Sequence, residues 1–140
     1  MAYLLDTNVI SELRMAHPND NVRAWIDRES TAELYISALV VGEIRQGIGR
    51  LRGREAARAD SLDRWLAGLV TIYADRVLPV TAAVAEEWGR LNAVSEPPPV
   101  VDGLMAATAL VHRLTLVTRN VADAGRTGVR VVNPFVSAAS

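Results

Sequence analysis

Four acidic residues stand beside apolar segments, where a carboxylate is costly unless it has a partner or a function. They are Asp6, Glu43, Asp102 and Asp123. Carboxylates that converge on one point hold a hard divalent cation such as Mg²⁺ or Mn²⁺. A cation held in this way supports hydrolysis of a phosphodiester, because it activates water and neutralises the leaving oxygen. The chemistry of the chain therefore depends on whether these four residues meet.

Bringing four carboxylates together has a cost that a cation would offset. Each pair at 5 Å repels by about 3 kcal/mol at an effective dielectric constant near 20. The chain has no cysteine and two histidines, His17 and His112, which form no recognisable metal pair or catalytic triad. Oxygen ligands therefore favour Mg²⁺ or Mn²⁺ over zinc. The spacing along the chain makes convergence reasonable without demonstrating it.

The elements that must position the acids alternate between strand and helix. Strands are predicted at 2–5, 34–37, 76–81, 114–118 and 129–134. Helices are predicted at 7–14, from the break at 17–20 through Trp25 and Ile26, at 38–51, at 54–73, from Thr81 through Glu87 and Leu91, and at 100–113, with a turn or short helix at 119–125. This alternation predicts a three-layer α/β/α fold with a mostly parallel central sheet, in one domain over residues 1–140.

Two of the acids fall at the ends of predicted strands. Asp6 ends the first strand, and Thr118, Asn120 and Asp123 follow the strand at 114–118. Ligands of open parallel sheets bind beyond the carboxyl ends of the strands, so these two segments are expected to share one crevice.

Each candidate also has a structural interpretation. Asp102 lies near the start of a helix, where the helix dipole favours a carboxylate, and Glu43 on its helix is either functional or a surface glutamate. Thr7 and Asn8 either orient Asp6 and hold a phosphate, or cap the first helix.

The net charge of the chain does not indicate a nucleic-acid partner. The formal net charge is −1, so any such binding must come from a local patch. All 15 basic residues are arginine, and arginine suits bidentate phosphate contacts. We predict RNA contacts at Arg45, Arg50, Arg52 and Arg119; the alternative is a solvated helix end and turn.

Composition also gives an expectation for the cellular compartment of the protein. The absence of cysteine excludes disulfides and suits a reducing environment. The first residues carry no basic segment before the apolar run, which Asp6 interrupts, so we expect no secretory signal. No run of about 18 uncharged apolar residues is present, so we expect no membrane span and a cytoplasmic location.

Four segments resemble the PIN-domain ribonucleases, specifically the VapC toxins of bacterial type II toxin–antitoxin pairs. They are "LLDTNVIS" (4–11), "ISALVVGEIRQGI" (36–48), "VVDGLMAATALVHRLTLVTRN" (100–120) and "VADAGRTGVRVVNPF" (121–135). The segments occur in the order found in the family and cover most of the chain.

The resemblance assigns the acids one by one. The first three acids of the family fall on Asp6, Glu43 and Asp102. Members carry the fourth either at the position of Asn120 or three residues later, and it is assigned to Asp123 because only that position is acidic here. Ala124 replaces the aromatic residue that often follows the fourth acid. Asp6 and Asp102 are then direct metal ligands, while Glu43 and Asp123 act through water.

Polar neighbours support this assignment. Thr7, Asn8, Thr118 and Asn120 are the predicted supporting side chains. No residue is an obvious general base, and we predict that a water acidified by the metal passes its proton to one of the carboxylates.

The resemblance implies an Mg²⁺- or Mn²⁺-dependent endoribonuclease that cuts structured tRNA or rRNA and arrests translation. It also implies a homodimer and a cognate VapB-type antitoxin that blocks the acidic site, often by inserting an arginine. The alternative is a non-catalytic RNA-binding or protein-interaction module on the same fold.

Overall fold

A computed structural model describes residues 1–137 of the chain. The elements in these residues are β1 (Tyr3–Leu5), α1 (Thr7–Arg14), α2 (Asp20–Arg28), β2 (Leu34–Ser37), α3 (Ala38–Arg52), α4 (Ala56–Tyr73), β3 (Val77–Leu78), α5 (Ala82–Leu91), α6 (Val100–His112), β4 (Thr115–Val117), α7 (Val121–Gly125) and β5 (Val131–Val132). Short 3₁₀ turns at Thr31–Glu33 and Ala74–Arg76 precede β2 and β3.

Within residues 1–137 the strands form one five-stranded sheet in the order β3-β2-β1-β4-β5, with every pair parallel. In this register Tyr3 lies between Leu34 and Thr115. Helices cover both faces, as a parallel sheet requires. The predicted three-layer α/β/α fold is confirmed.

The exits of the central strands are fixed side by side by backbone hydrogen bonds. The amide of Asp6 donates to the carbonyl of Val117, at 2.9 Å, and the amide of Thr118 donates to the carbonyl of Val132, at the same distance. Residues that leave β1 and β4 therefore enter the same crevice at the carboxyl edge of the sheet.

Strands β1 and β4 and helix α6 belong to the hydrophobic core. Leu4, Leu5 and Leu116 are almost fully buried, since β1 and β4 lie in the middle of the sheet. Helix α6 packs through small residues such as Ala106 and Ala109, both with no exposed surface. Small side chains let this helix approach the sheet closely, which sets the position of its first turn.

Three of the helices begin with a side-chain cap. The side chains of Asn19, Ser37 and Thr81 accept hydrogen bonds from the first turns of α2, α3 and α5, as N-cap residues do. Capping of α1 by Thr7 or Asn8 is wrong, because Asp6 is the N-cap residue there.

Two predicted strands are shorter in the structure. Residues 76–81 form only Val77–Leu78, since Arg76 belongs to a 3₁₀ turn and Pro79 has no amide to donate. Residues 129–134 form only Val131–Val132, before Asn133 and Pro134.

The prediction of one domain over 1–140 remains a prediction, and residues 138–140 lie outside the described range. No helix among the described residues is long and apolar enough to cross a bilayer.

Candidate active site

Three of the four predicted acids line a single pocket at the carboxyl edge of the sheet. Asp6, Asp102 and Asp123 surround it together with Thr118 and Asn120. Its cavity volume is about 10 Å³, close to what one water molecule needs. The structure thus brings together acids from the end of β1, from α6 and from α7.

Asp6 is held by donors from three directions. As N-cap of α1, it accepts a 2.7 Å hydrogen bond from the amide of Thr7 through Oδ1. Oδ2 accepts from the hydroxyl of Thr118 at 2.7 Å and from the side-chain nitrogen Nδ2 of Asn8 at 3.4 Å. These donors orient the carboxylate without a basic partner, so its negative charge stays available to a cation.

Thr118 is fully buried and is the centre of this network. Its oxygen accepts from Asn8 Nδ2, at 3.1 Å, and from the backbone amide of Asn120, at 3.0 Å. With both lone pairs used, the hydroxyl proton must point at Asp6. Asn8 also accepts from the backbone amide of Arg119, at 3.2 Å, which ties α1 to the β4–α7 turn.

Glu43 lies beside the pocket and not among its lining residues. It is half-buried on α3, and its Oε1 accepts a 2.6 Å hydrogen bond from the Thr7 hydroxyl. The residue next to Asp6 in sequence therefore fixes the second acid. This polar partner accounts for a glutamate on an otherwise apolar helix face.

Asp102 lies in the first turn of α6. Burial, followed by the negative charges of Asp6, Asp123 and Glu43, raises the pKa of its carboxyl group. Asp102 is therefore close enough to the other three acids for their negative charges to act on it.

Asp123 lies in the short helix α7, where it is about half exposed. Its Oδ1 is 3.7 Å from the guanidinium of Arg126, one turn along the helix. Asn120 is the N-cap residue of α7 and contributes its backbone amide to Thr118, while its own side chain makes no capping hydrogen bond.

The predicted RNA-contacting arginines differ in how they are paired. Arg45 forms a 2.8 Å ion pair with Asp63, and Arg52 forms one of the same length with Asp60, all on the exposed side of α3 and α4. Arg50 is exposed near the end of α3. Their contact with RNA remains a prediction, with two of the charges already balanced.

Arg119 is placed differently, between two residues that line the pocket, Thr118 and Asn120. Its guanidinium carbon lies 3.7 Å from the centre of the Phe135 ring, a stacking distance for a cation–π contact. Stacking holds the guanidinium plane and leaves its edges free to donate.

Sequence reasoning missed the contact behind Asp102. A Cβ atom on Gly103 would lie 2.8 Å from Asn92 Oδ1 and 3.1 Å from Trp88 Cδ1, so α5 touches the first turn of α6 at a position that only glycine fits. A glycine directly after an acid inside a helix was the available signal. Nothing in the sequence around Trp88 and Asn92 indicated that these residues would contact it.

The donor set fits a hard divalent cation. Carboxylate and hydroxyl oxygens are the ligands that Mg²⁺ and Mn²⁺ prefer, and a cation would relieve the repulsion felt by Asp102. Among residues 1–137, no group of three or more Asp, Glu or His side chains is already arranged to hold a metal ion. Mg²⁺ keeps several of its waters and needs few direct ligands, so the arrangement suits an ion held partly through water.

Comparison with known proteins agrees with this geometry. A sequence model of the PIN domain matches residues 3–122. Toxin FitB of Neisseria gonorrhoeae is 33% identical over 136 residues, which cover 94% of this chain and 97% of FitB. The VapC ribonuclease Y4jK of Sinorhizobium fredii is 34% identical, over 94% of this chain and 96% of its own.

A solved structure shows the same fold. The crystal structure of FitAcB from Neisseria gonorrhoeae superposes with a TM-score of 0.88 and 33% sequence identity, covering 95% of this chain and 98% of the other. The extent of the family match and the length of these alignments show that the chain belongs to the PIN-domain family.

Proposed function

We propose that this protein is a metal-dependent endoribonuclease toxin, hydrolysing phosphodiester bonds of structured tRNA or rRNA and held inactive by a VapB-type antitoxin. One observation carries the proposal. Asp6, Asp102 and Asp123, far apart in sequence, line one small pocket, with Glu43 fixed beside it. Among residues 1–137, Arg126 is the one guanidinium paired with this set of four carboxylates, 3.7 Å from Asp123, so the set suits cation-assisted hydrolysis better than a structural role.

Asp6 and Asp102 are proposed as direct ligands of Mg²⁺ or Mn²⁺, and Glu43 and Asp123 as ligands through water. The cation would activate water and neutralise charge at the leaving oxygen. Thr118, Asn8 and the Thr7 amide keep the Asp6 carboxylate oriented. The Thr7 hydroxyl does the same for Glu43.

Substrate contact is proposed for the arginines around this edge. Arg119 lies between the lining residues Thr118 and Asn120, and its guanidinium, stacked on Phe135, would meet an approaching RNA phosphate. Arg45, Arg50 and Arg52 on α3 would extend the contact along the RNA backbone after exchange of their carboxylate partners. Affinity of this kind is electrostatic and depends on salt.

The names of the relatives support the toxin and antitoxin parts of the proposal. FitB is named a toxin and Y4jK a VapC ribonuclease, and the structure at a TM-score of 0.88 is entitled FitAcB. We propose that this chain likewise forms a homodimer that pairs with an antitoxin. An antitoxin arginine placed among the acids would compete directly with the cation.

The test is cleavage of total tRNA and rRNA by purified, antitoxin-free protein, with Mg²⁺, with Mn²⁺ and with EDTA. The proposal expects discrete products that require a metal and disappear in Asp6→Asn, which keeps the side-chain shape and removes one charge. Asp27→Asn on exposed α2 is the matched control and should cut normally.

The alternative, a non-catalytic binding module, predicts a different pattern. Wild-type protein shown to be folded would then bind RNA without cutting it, and Asp6→Asn would bind equally well, since no metal is needed. Cleavage that persists at full rate in Asp6→Asn would overturn the assignment of the acidic pocket.

A further inference from the structure

A second pocket opens at the amino-terminal edge of the sheet, opposite to the acidic one. It lies between the end of α6, the start of β4 and the turn that leads into β5, and its volume is about 410 Å³. Volumes of this size are typical of small-molecule sites. The proposed nuclease chemistry uses none of its residues.

The floor of the pocket is apolar and the rim is basic. Ala109, Leu114 and Val129 are buried at its base, and the side chains of Arg113 and Arg130 are exposed on its rim. Among residues 1–137 these two guanidinium groups have no carboxylate or ring partner. Two unbalanced positive charges thus face an apolar surface, in a chain whose net charge is −1.

A buried hydroxyl at the same place lacks a strong partner. Thr115 is 5% exposed and lines the pocket. Its hydroxyl donates only to the thioether of Met1, at 3.6 Å, and sulfur is a weak acceptor. Met1 is itself 73% exposed, so an incoming oxygen can replace its sulfur. The hydroxyl is then available as a donor to an anion in the pocket.

The backbone conformation of Arg113 also needs an explanation. Arg113 ends α6 in the left-handed region, with φ 57° and ψ 43°, where glycine is the usual residue. On the other side of the pocket a glycine, Gly128, takes the positive φ of 82°. The strained position on the rim is therefore held by the residue that contributes a guanidinium group.

We infer that this pocket binds a phosphate monoester carried on a small apolar body. Its guanidinium groups supply two positive charges, and a phosphate monoester carries about −1.5 to −2 near pH 7. Arginine forks match phosphate oxygens bidentately, the Thr115 hydroxyl donates to a third oxygen, and the apolar body covers Leu114 and Val129. A single carboxylate would leave one arginine unbalanced.

Phenyl phosphate is the probe, titrated into the metal-free full-length chain and followed by amide NMR shifts and calorimetry. Inorganic phosphate and phenol test the head and the body separately. The proposal expects phenyl phosphate to bind at least tenfold more tightly than either, with shifts centred on Leu114, Thr115 and Gly128.

Arg113→Gly separates binding from folding. Glycine relieves the left-handed backbone, so the melting temperature should stay equal or rise while affinity for phenyl phosphate falls at least tenfold. Arg130→Gln should lose affinity similarly, and Arg54→Gln, on the exposed α3–α4 turn, should not. Unchanged binding in Arg113→Gly, or no preference of the wild type for phenyl phosphate over inorganic phosphate, would refute the site. Neither result depends on RNA cleavage or a bound metal.

Discussion

The hydroxyl of Thr118 donates a 2.7 Å hydrogen bond to Oδ2 of Asp6, joining the ends of two neighbouring strands. The two residues lie at opposite ends of the sequence and meet because β1 and β4 are paired in parallel. The same oxygen of Thr118 accepts from Asn8 and from the amide of Asn120. One buried side chain therefore orients the first acid, the first helix and the loop that carries the fourth acid.

Thr118→Val tests this role, since valine keeps the shape and removes the hydroxyl. Loss of a partner that orients a metal ligand typically lowers affinity or activity about 10- to 100-fold. The buried groups left unpaired should lower the free energy of unfolding by about 1–3 kcal/mol. RNA cleavage, metal titration and urea unfolding measure these effects.

The control is Thr108→Val. Thr108 is also fully buried, but its hydroxyl donates to the carbonyl of Leu104 within α6. It should alter stability slightly and leave cleavage unchanged. Full activity in Thr118→Val would show that Asp6 needs no such orientation.

The raised pKa of Asp102 predicts how the site responds to pH. The cation and the proton compete for this carboxylate, so metal affinity should fall as the pH is lowered through its raised pKa. Asp6→Asn removes one of the negative charges that raise this pKa, and should move it back towards the ordinary aspartate value. Carbon-13 NMR of the Asp102 carboxyl in metal-free protein measures both; an unchanged pKa in Asp6→Asn would contradict the proposed coupling.

The same shift has a consequence for stability without metal. Between the ordinary and the raised pKa of Asp102, the native state holds a proton that the unfolded chain has lost. Stability from this group is therefore present at low pH and lost as the pH rises through that window. Asp102→Asn should make the metal-free protein more stable than wild type at neutral pH while abolishing cleavage. Thermal unfolding against pH tests it, with Asp27→Asn as control.

Gly103→Ala should disturb the site from behind. The new Cβ would lie 2.8 Å from Asn92 Oδ1, so either the Asn92 side chain or the first turn of α6, with Asp102, must shift. Overpacking of this kind costs about 1–3 kcal/mol, and metal affinity should fall with it. Adding Asn92→Ala removes the closest atom and should restore much of both. Failure of the double variant to recover would place the defect elsewhere.

Arg119 and Arg45 should differ in their effect on RNA binding. Arg119→Gln removes the guanidinium stacked on Phe135, and should weaken RNA affinity while lowering the slope of log affinity against log salt by about 1. Arg45 already pairs with Asp63, so Arg45→Gln should change the slope less. Filter binding at several salt concentrations, with the inactive Asp6→Asn background, distinguishes them.

Local sequence patterns were sufficient for most of the fold. Apolar runs such as Leu4–Leu5 and the alternation of strand and helix depend on contacts within a few residues. The carboxyl-edge crevice follows from a general rule for parallel sheets, whereas the order of the strands was seen only in the structure. Strand lengths were overestimated where Pro79 and Pro134 limit pairing, because the apolar pattern continues where backbone donors do not.

Contacts between residues that are distant in the sequence could not be predicted from local patterns. Nothing in the sequence around Thr118 shows that its proton points at Asp6, nor does anything near Thr7 show that it donates to Glu43. The pairing of Arg45 with Asp63 and the contact of Gly103 with Asn92 are likewise products of helix packing. Residue types and order establish which side chains are able to do the chemistry. Their relative placement to within a few tenths of an ångström arises only when separate elements pack against one another.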